Sequence, residues 1–84
     1  MYFVYIIKSL VNEKVYVGYT GKTVEERLKE HNSGSNKWTK SSKPFKIVYY
    51  EKFICEEDAK LREEFLKSGV GRKIKNLIVN NFGV

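Results

Sequence analysis

The chain has 84 residues, enough for one small domain over residues 1–84 and too few for two. Lysine and arginine number 16 against 10 aspartates and glutamates, and this formal charge of +6 points to an anionic partner, most simply nucleic acid. One cysteine, Cys55, excludes an internal disulfide, and with a single histidine there is no Cys/His cluster for zinc, which suits a reducing cytoplasm.

The longest apolar run, Met1 to Ile7, is too short to span a bilayer and lacks the basic start of a signal peptide, so a soluble, cytoplasmic protein with no membrane partner is expected. The same run is rich in aromatic and β-branched residues and predicts a strand covered on both faces. Ser9 to Lys14 is a polar connection. Val15 to Thr20 is a second strand of the same type, joined closely enough to the first for an antiparallel hairpin. Gly18 inside it marks a bulge or a close approach by another group. Thr23-Val24-Glu25-Glu26 has capping-box spacing and opens a helix running to about His31, which Asn32-Ser33-Gly34 stops. Ser33 to Lys43 carries Lys37, Lys40 and Lys43 and reads as an exposed basic loop, closed by Pro44. Phe45 to Phe53 is a third strand. Glu56-Glu57-Asp58 places acids at the start of a second helix that continues to about Ser68. Gly69-Val70-Gly71 breaks it, and Arg72 to Asn81 is a third helix with Ile74, Leu77 and Ile78 on one face. The order β-β-α-β-α-α fits one three-stranded sheet with helices packed on it.

Several residues break this plain pattern. At about 100° per residue, Val24 and Leu28 form the buried seam of the first helix, while Glu25, Glu26, Lys29 and Glu30 face water. Arg27 and His31, at i and i+4, sit beside the seam, so a cation and an imidazole point toward the sheet. Such groups are costly to bury unless paired or functional. The plainer reading is that Arg27 snorkels over the core edge and His31 is a satisfied packing residue. Glu63 lies at the edge of the apolar face of the second helix; it is a candidate metal ligand, or a salt-bridge partner of Lys60 or Lys67. Tyr5, Tyr16 and Tyr19 lie on the first two strands, where a phenol can fill a core and still present a hydroxyl.

Together these groups have a chemical logic. Phosphodiester hydrolysis needs a nucleophilic water, neutralised phosphate oxygens and a stabilised leaving oxygen. One Glu can hold a Mg²⁺ or Mn²⁺ that keeps most of its waters. A Tyr close to that metal can have its pKa lowered and take a proton from the attacking water. Arg supplies a permanent planar donor for phosphate, and His positions the water or shares in proton transfer. Lys37, Lys40 and Lys43, with Tyr19, are candidate contacts to the nucleic-acid backbone.

The ordered set resembles the GIY-YIG nucleases, most closely their small stand-alone bacterial members. Phe3-Val4-Tyr5 stands where the family has Gly-Ile-Tyr, and Tyr16-Val17-Gly18 where it has Tyr-Ile-Gly. Gly18-Tyr19-Thr20 then leads into the helix with Arg27 and His31 at the family's Arg and His places. Arg62-Glu63, followed by Leu66-Lys67, resembles the segment with the metal-binding Glu. The match covers nearly the whole chain. It implies an α/β (α+β) sandwich with a central three-stranded antiparallel sheet flanked by helices, and metal-dependent endonuclease chemistry on DNA or RNA, with DNA the favoured substrate and structured or damaged DNA one form it could take. Under this resemblance Tyr5 is a base or water-positioning group and Tyr16 a second phosphate or water contact. Arg27 stabilises charge, His31 assists proton transfer and Glu63 binds the metal. Two features depart from the family pattern. Phe3 replaces the Gly of the first motif, and Asn76, Asn80 and Asn81 are all placed to serve as the Asn that many members carry after the Glu helix. Larger members append DNA-binding domains. Here the domain surface, a protein partner or a homodimer is expected to supply affinity. The alternative reading is a non-catalytic nucleic-acid-binding module that keeps the fold and the basic surface.

Overall fold

The computed structural model describes residues 1–34 and 39–82. Its elements are β1 (Tyr2–Ser9), β2 (Val15–Thr20), α1 (Val24–Asn32), a 3₁₀ turn (Lys40–Ser42), β3 (Phe45–Phe53), α2 (Glu56–Lys67) and α3 (Gly69–Phe82). This is the expected β-β-α-β-α-α order, with the 3₁₀ turn added. The three strands form an antiparallel sheet in the order β2-β1-β3, an α+β fold.

Position in the sheet explains the composition of each strand. β1 is central, and Val4, Tyr5, Ile6 and Ile7 are all buried. Tyr5 and Ile7 pack with Val24 of α1 and Phe45, on one face. Val4 packs with Ala59 and Leu66 of α2 on the other. A strand buried from both sides has no polar alternation, which is why its sequence reads as a continuous apolar run. β2 differs from expectation. Its residues Val15 to Tyr19 are only half-buried, because β2 is an edge strand with β1 as its one neighbour. β3 carries a bulge: Ile6 faces Tyr49 and Ile7 faces Ile47, which leaves Val48 as the extra residue.

α1 is capped as its sequence predicts. The Thr23 hydroxyl oxygen accepts from the Glu26 backbone N–H at 3.1 Å and the hydroxyl donates to Glu26 Oε1 at 3.1 Å. Its end is set by Gly34, at φ 82°, whose N–H reaches the His31 carbonyl at 3.3 Å.

The segment after α1 is not the wholly exposed loop its lysines suggest. Thr39 and Ser42 are 2% and 1% exposed. The Ser9 hydroxyl donates to the Ser42 carbonyl at 2.5 Å, and Asn12 Nδ2 donates to Ser42 Oγ at 3.0 Å. Small hydroxyls bury readily once hydrogen-bonded, so a polar sequence here forms an anchored turn.

The junction of α2 and α3 is also tighter than expected. The break is Ser68 alone, at ψ 167°, and α3 begins at Gly69. Ser68 Oγ donates to the Phe65 carbonyl at 2.6 Å and accepts from Gly71 N–H at 3.2 Å, so it caps the new helix. Gly71 does not interrupt a helix; it lets two helices meet. A Cβ there would stand 1.7 Å from the Phe65 carbonyl oxygen. The packed face of α3 accordingly runs through Gly71, Lys75, Ile78 and Val79, while Ile74 and Leu77 are exposed. Among the described residues, no helix is long and apolar enough to cross a membrane.

The two glycines of this junction should therefore respond oppositely to alanine. Gly71→Ala must push α3 off α2 and should cost about 1–3 kcal/mol, or roughly 4–8 °C of melting temperature per kcal/mol. Gly69→Ala meets nothing within 4 Å and should be neutral or stabilising, by up to about 1 kcal/mol. Equal melting temperatures for the two variants would defeat the close-approach argument.

Candidate active site

The site begins with a cross-strand pair. Tyr5 on β1 lies opposite Gly18 on β2. A Cβ at Gly18 would come within 2.5 Å of the Tyr5 hydroxyl oxygen and 2.7 Å of Cζ. The phenol therefore leans across the bare backbone of β2 and carries its hydroxyl to the edge of the sheet. The close approach expected at Gly18 is made by Tyr5.

α1 meets that hydroxyl from one side. His31 Nε2 lies 2.9 Å from Tyr5 Oη, and His31 Nδ1 lies 2.9 Å from Thr39 Oγ1. The imidazole is 4% exposed, so both ring nitrogens are satisfied within the protein. One turn earlier, Arg27 Nη1 donates to Glu30 Oε1 at 2.6 Å, and Lys22 pairs with the second Glu30 oxygen. Glu30 does not face open water as its helical position suggested; it is half-buried and joins two cations.

α2 meets the same edge from the opposite face. Glu63, 18% exposed, pairs with Lys67 Nζ at 3.3 Å. Lys60 Nζ sits 5.9 Å from the centre of the Tyr19 ring. One cleft at the β2 edge is lined by Tyr5, Tyr16, Gly18, Tyr19, Arg27, His31, Thr39, Glu63 and Lys67. The structure thus brings together Tyr5, Tyr16, Tyr19, Arg27, His31 and Glu63. Lys40 and Lys43 are exposed and are not part of this lining, and Lys37 lies outside the described residues. Asn76, Asn80 and Asn81 are exposed on α3 and do not reach the lining either. Sequence reasoning missed Lys67 and Thr39 as parts of the cleft. The i+4 spacing from Glu63 was a signal for Lys67. Thr39 had none, because its contact depends on how the loop closes.

Burial sets the protonation of the central pair. It pushes the Tyr5 phenol above its usual value, while the charge and hydrogen bonding of the Arg27 guanidinium draw it back down. Burial thus acts against the lowered value that a nearby metal would give, and Arg27 acts with the metal. Burial, then the positive charge of Arg27, hold His31 below its usual value, with Glu30 opposing. Both groups are neutral near pH 7. Hydrogen bonds from Lys22 and Arg27 lower Glu30 and keep it ionised.

The GIY-YIG catalytic domain model matches residues 1–76. The chain belongs to the GIY-YIG family of nucleases. A UPF0213 protein of Clostridium perfringens is 40% identical over 68 residues, covering 80% of this chain and 71% of that one. A UPF0213 protein of Natronomonas pharaonis is 34% identical over 83 residues, covering 98% and 95%. One from Staphylococcus aureus is 36% identical over 78 residues, covering 92% and 93%. No solved structure matches the chain. Tyr5, Tyr16 and Gly18, which carry the resemblance to the family's two motifs, all border the cleft.

Two measurements probe this geometry. Gly18→Ala should displace the Tyr5 ring and destabilise the fold by about 1–3 kcal/mol. In a Tyr5→Val background the same change should cost much less, and an undiminished cost in a double-mutant cycle would contradict the ring-over-glycine packing. For His31 the sign follows from its lowered folded value. As pH falls, the unfolded chain takes up the proton first. Stability is therefore fully present above pH 6.5, declines as pH drops through 6.5, and levels off below the folded value. An NMR titration of this sole histidine should give a midpoint below 6.5, and one at or above 6.5 would refute the burial argument.

Proposed function

We propose that this chain is a divalent-metal-dependent endonuclease that hydrolyses phosphodiester bonds of nucleic acid, with DNA the favoured substrate. The observation that carries the reading is the convergence of a neutral Tyr5–His31 pair, Arg27 and Glu63 on one cleft in a chain of a nuclease family.

Glu63 suits a hard cation. It is a single, partly shielded carboxylate at a water-accessible cleft, and among the described residues no cluster of three or more His, Cys, Asp or Glu could hold a softer or more tightly caged ion. Held there, Mg²⁺ or Mn²⁺ would supply Lewis-acid stabilisation of charge on the phosphate and the leaving oxygen. The remaining chemistry falls to the chain's own side chains. Tyr5 Oη positions the attacking water and accepts its proton as the phenol passes its own hydrogen to His31 Nε2. The lowered His31 value keeps that nitrogen available at neutral pH. Arg27 binds the non-bridging phosphate oxygens with a charge that does not titrate. Tyr16 gives a second hydroxyl contact to phosphate or water. Tyr19, with Lys60 and Lys67 beside it, forms a rim where an aromatic face and two ammonium groups meet the nucleic-acid strand. Lys40 and Lys43, on the exposed side of the 3₁₀ turn, extend the positive surface.

The deciding experiment is cleavage of a labelled panel, single-stranded, duplex, flap and branched, as DNA and as RNA, with Mg²⁺ and with EDTA. Arg27→Ala should lower the rate by about 10²- to 10³-fold, as loss of one charge-stabilising donor does. Glu63→Ala should abolish metal-dependent cleavage while binding is kept or slightly tightened, because a negative charge near phosphate is removed. Retained binding with no cleavage of any panel member by the native protein would replace this reading with that of a non-catalytic binding module.

A further inference from the structure

His31 is held from both sides, and the direction of those two hydrogen bonds matters. A neutral imidazole has one N–H and one lone pair. Tyr5 and Thr39 are hydroxyls that can donate or accept, so distance alone permits two polarities. The proton relay proposed above requires one of them, since Tyr5 can give its hydrogen to the ring only where Nε2 is bare. The phenol hydrogen is then given to His31 Nε2, and the imidazole must carry its own hydrogen on Nδ1, facing Thr39 Oγ1.

We infer that Thr39 is a positioning residue of the site: its hydroxyl accepts the Nδ1 hydrogen of His31 and so holds Nε2 as the acceptor presented to Tyr5. The groups around the ring agree with this. Arg27 and Glu30 flank it on α1, Tyr5 faces it from β1 and Phe45 closes it from β3 at a 6.0 Å ring separation, so Thr39 supplies the partner at Nδ1. Thr39 is itself fixed. It is 2% exposed, and its carbonyl accepts from Ser42 N–H at 3.0 Å. The same turn supports a second cleft hydroxyl, since Ser42 Oγ lies 3.3 Å from Tyr16 Oη. The anchored segment between α1 and β3 thus acts as a brace behind two groups of the cleft. If Thr39 merely filled space, valine, its isostere, would serve equally well.

The chain has one histidine, so a long-range ¹H–¹⁵N spectrum of the ring contains a single imidazole. In the native protein near neutral pH, Nδ1 should appear protonated and Nε2 bare. Thr39→Val leaves Nδ1 without an acceptor and should move the population toward the Nε2–H form; Thr39→Ser should keep the native pattern. The effect on catalysis rests on the nuclease reading above: Thr39→Val should cut the cleavage rate by about ten- to a hundred-fold, the usual scale for an orienting hydrogen bond, with Thr39→Ser near native. A native spectrum showing Nε2–H overturns the inference even if the valine variant does not fold, and so does an unchanged tautomer in a folded valine variant. A tautomer shift in a protein that cleaves nothing upholds Thr39 as the positioning residue and removes the nuclease reading instead.

Discussion

The site depends on one aromatic ring lying over one bare backbone position. Tyr5 belongs to the central strand, where a side chain is ordinarily sealed between the sheet and a helix. Because Gly18 has no Cβ, the ring can lean across β2 and deliver its hydroxyl to the sheet edge. The tyrosine of the first signature motif and the glycine of the second are thus two halves of one cross-strand contact. Everything else in the cleft is arranged around that hydroxyl: His31 hydrogen-bonds it, Arg27 biases it electrostatically, and Glu63 approaches from the other face.

The electrostatic design separates neutral groups from charged ones. Tyr5 and His31 are the buried pair, and burial keeps both uncharged, so the interior holds a hydrogen-bonded phenol and imidazole without holding a charge. The charged groups stand at the rim. Glu30 links Arg27 and Lys22, and ion pairs that remain partly open to water contribute little to stability. Their effect is geometric, since Glu30 restrains the Arg27 fork beside the phenol. A stiffer anchor operates on α2. Arg62 meets Glu51 of β3 through two parallel bonds of 2.8 and 2.9 Å, and Tyr49 donates to the same carboxylate at 2.7 Å. This clamp fixes the rotation of α2 on the sheet, and the next residue in the chain is Glu63.

What the sequence revealed, and what it concealed, divides along the range of the interactions involved. Strands and helices were legible because their signals are local. The apolar run of β1 reflects two covered faces, and β3 occupies Phe45 to Phe53 as its composition predicts. The position of Arg27 and His31 beside the Val24/Leu28 seam was readable from helical geometry alone. The plainer reading of His31 also holds in part, since the ring is buried and satisfied; its partner, however, is the Tyr5 hydroxyl at the cleft. The features that escaped are those made by closure in three dimensions. Glu30 is polar and on the outer side of the wheel, yet Lys22 reaches back to it from before the helix. Gly71 looks like a helix breaker until the approach of Phe65 is known. Thr39 and Ser42 sit in a stretch whose lysines suggest solvent, and only their hydrogen bonds to distant residues bury them.

An edge strand is usually a liability, with unpaired backbone groups open to adventitious pairing. Here it makes a site affordable in a thin domain. Side chains alternate across β2, so Tyr16 and Gly18 belong to the face that α1 covers, while Val17 and Tyr19 belong to the face that α2 covers. A ligand at that edge touches the products of both faces at once. Residues on two helices and two strands therefore converge without a long loop to carry them, and rigid elements hold such groups more tightly than loops do. The consequence is that core and site overlap. Tyr5 is at once part of the hydrophobic cluster under α1 and the hydroxyl at the centre of the cleft. Any change that frees the ring to move therefore acts on stability and on site geometry together, which ties the precision of the site to the packing of the whole domain.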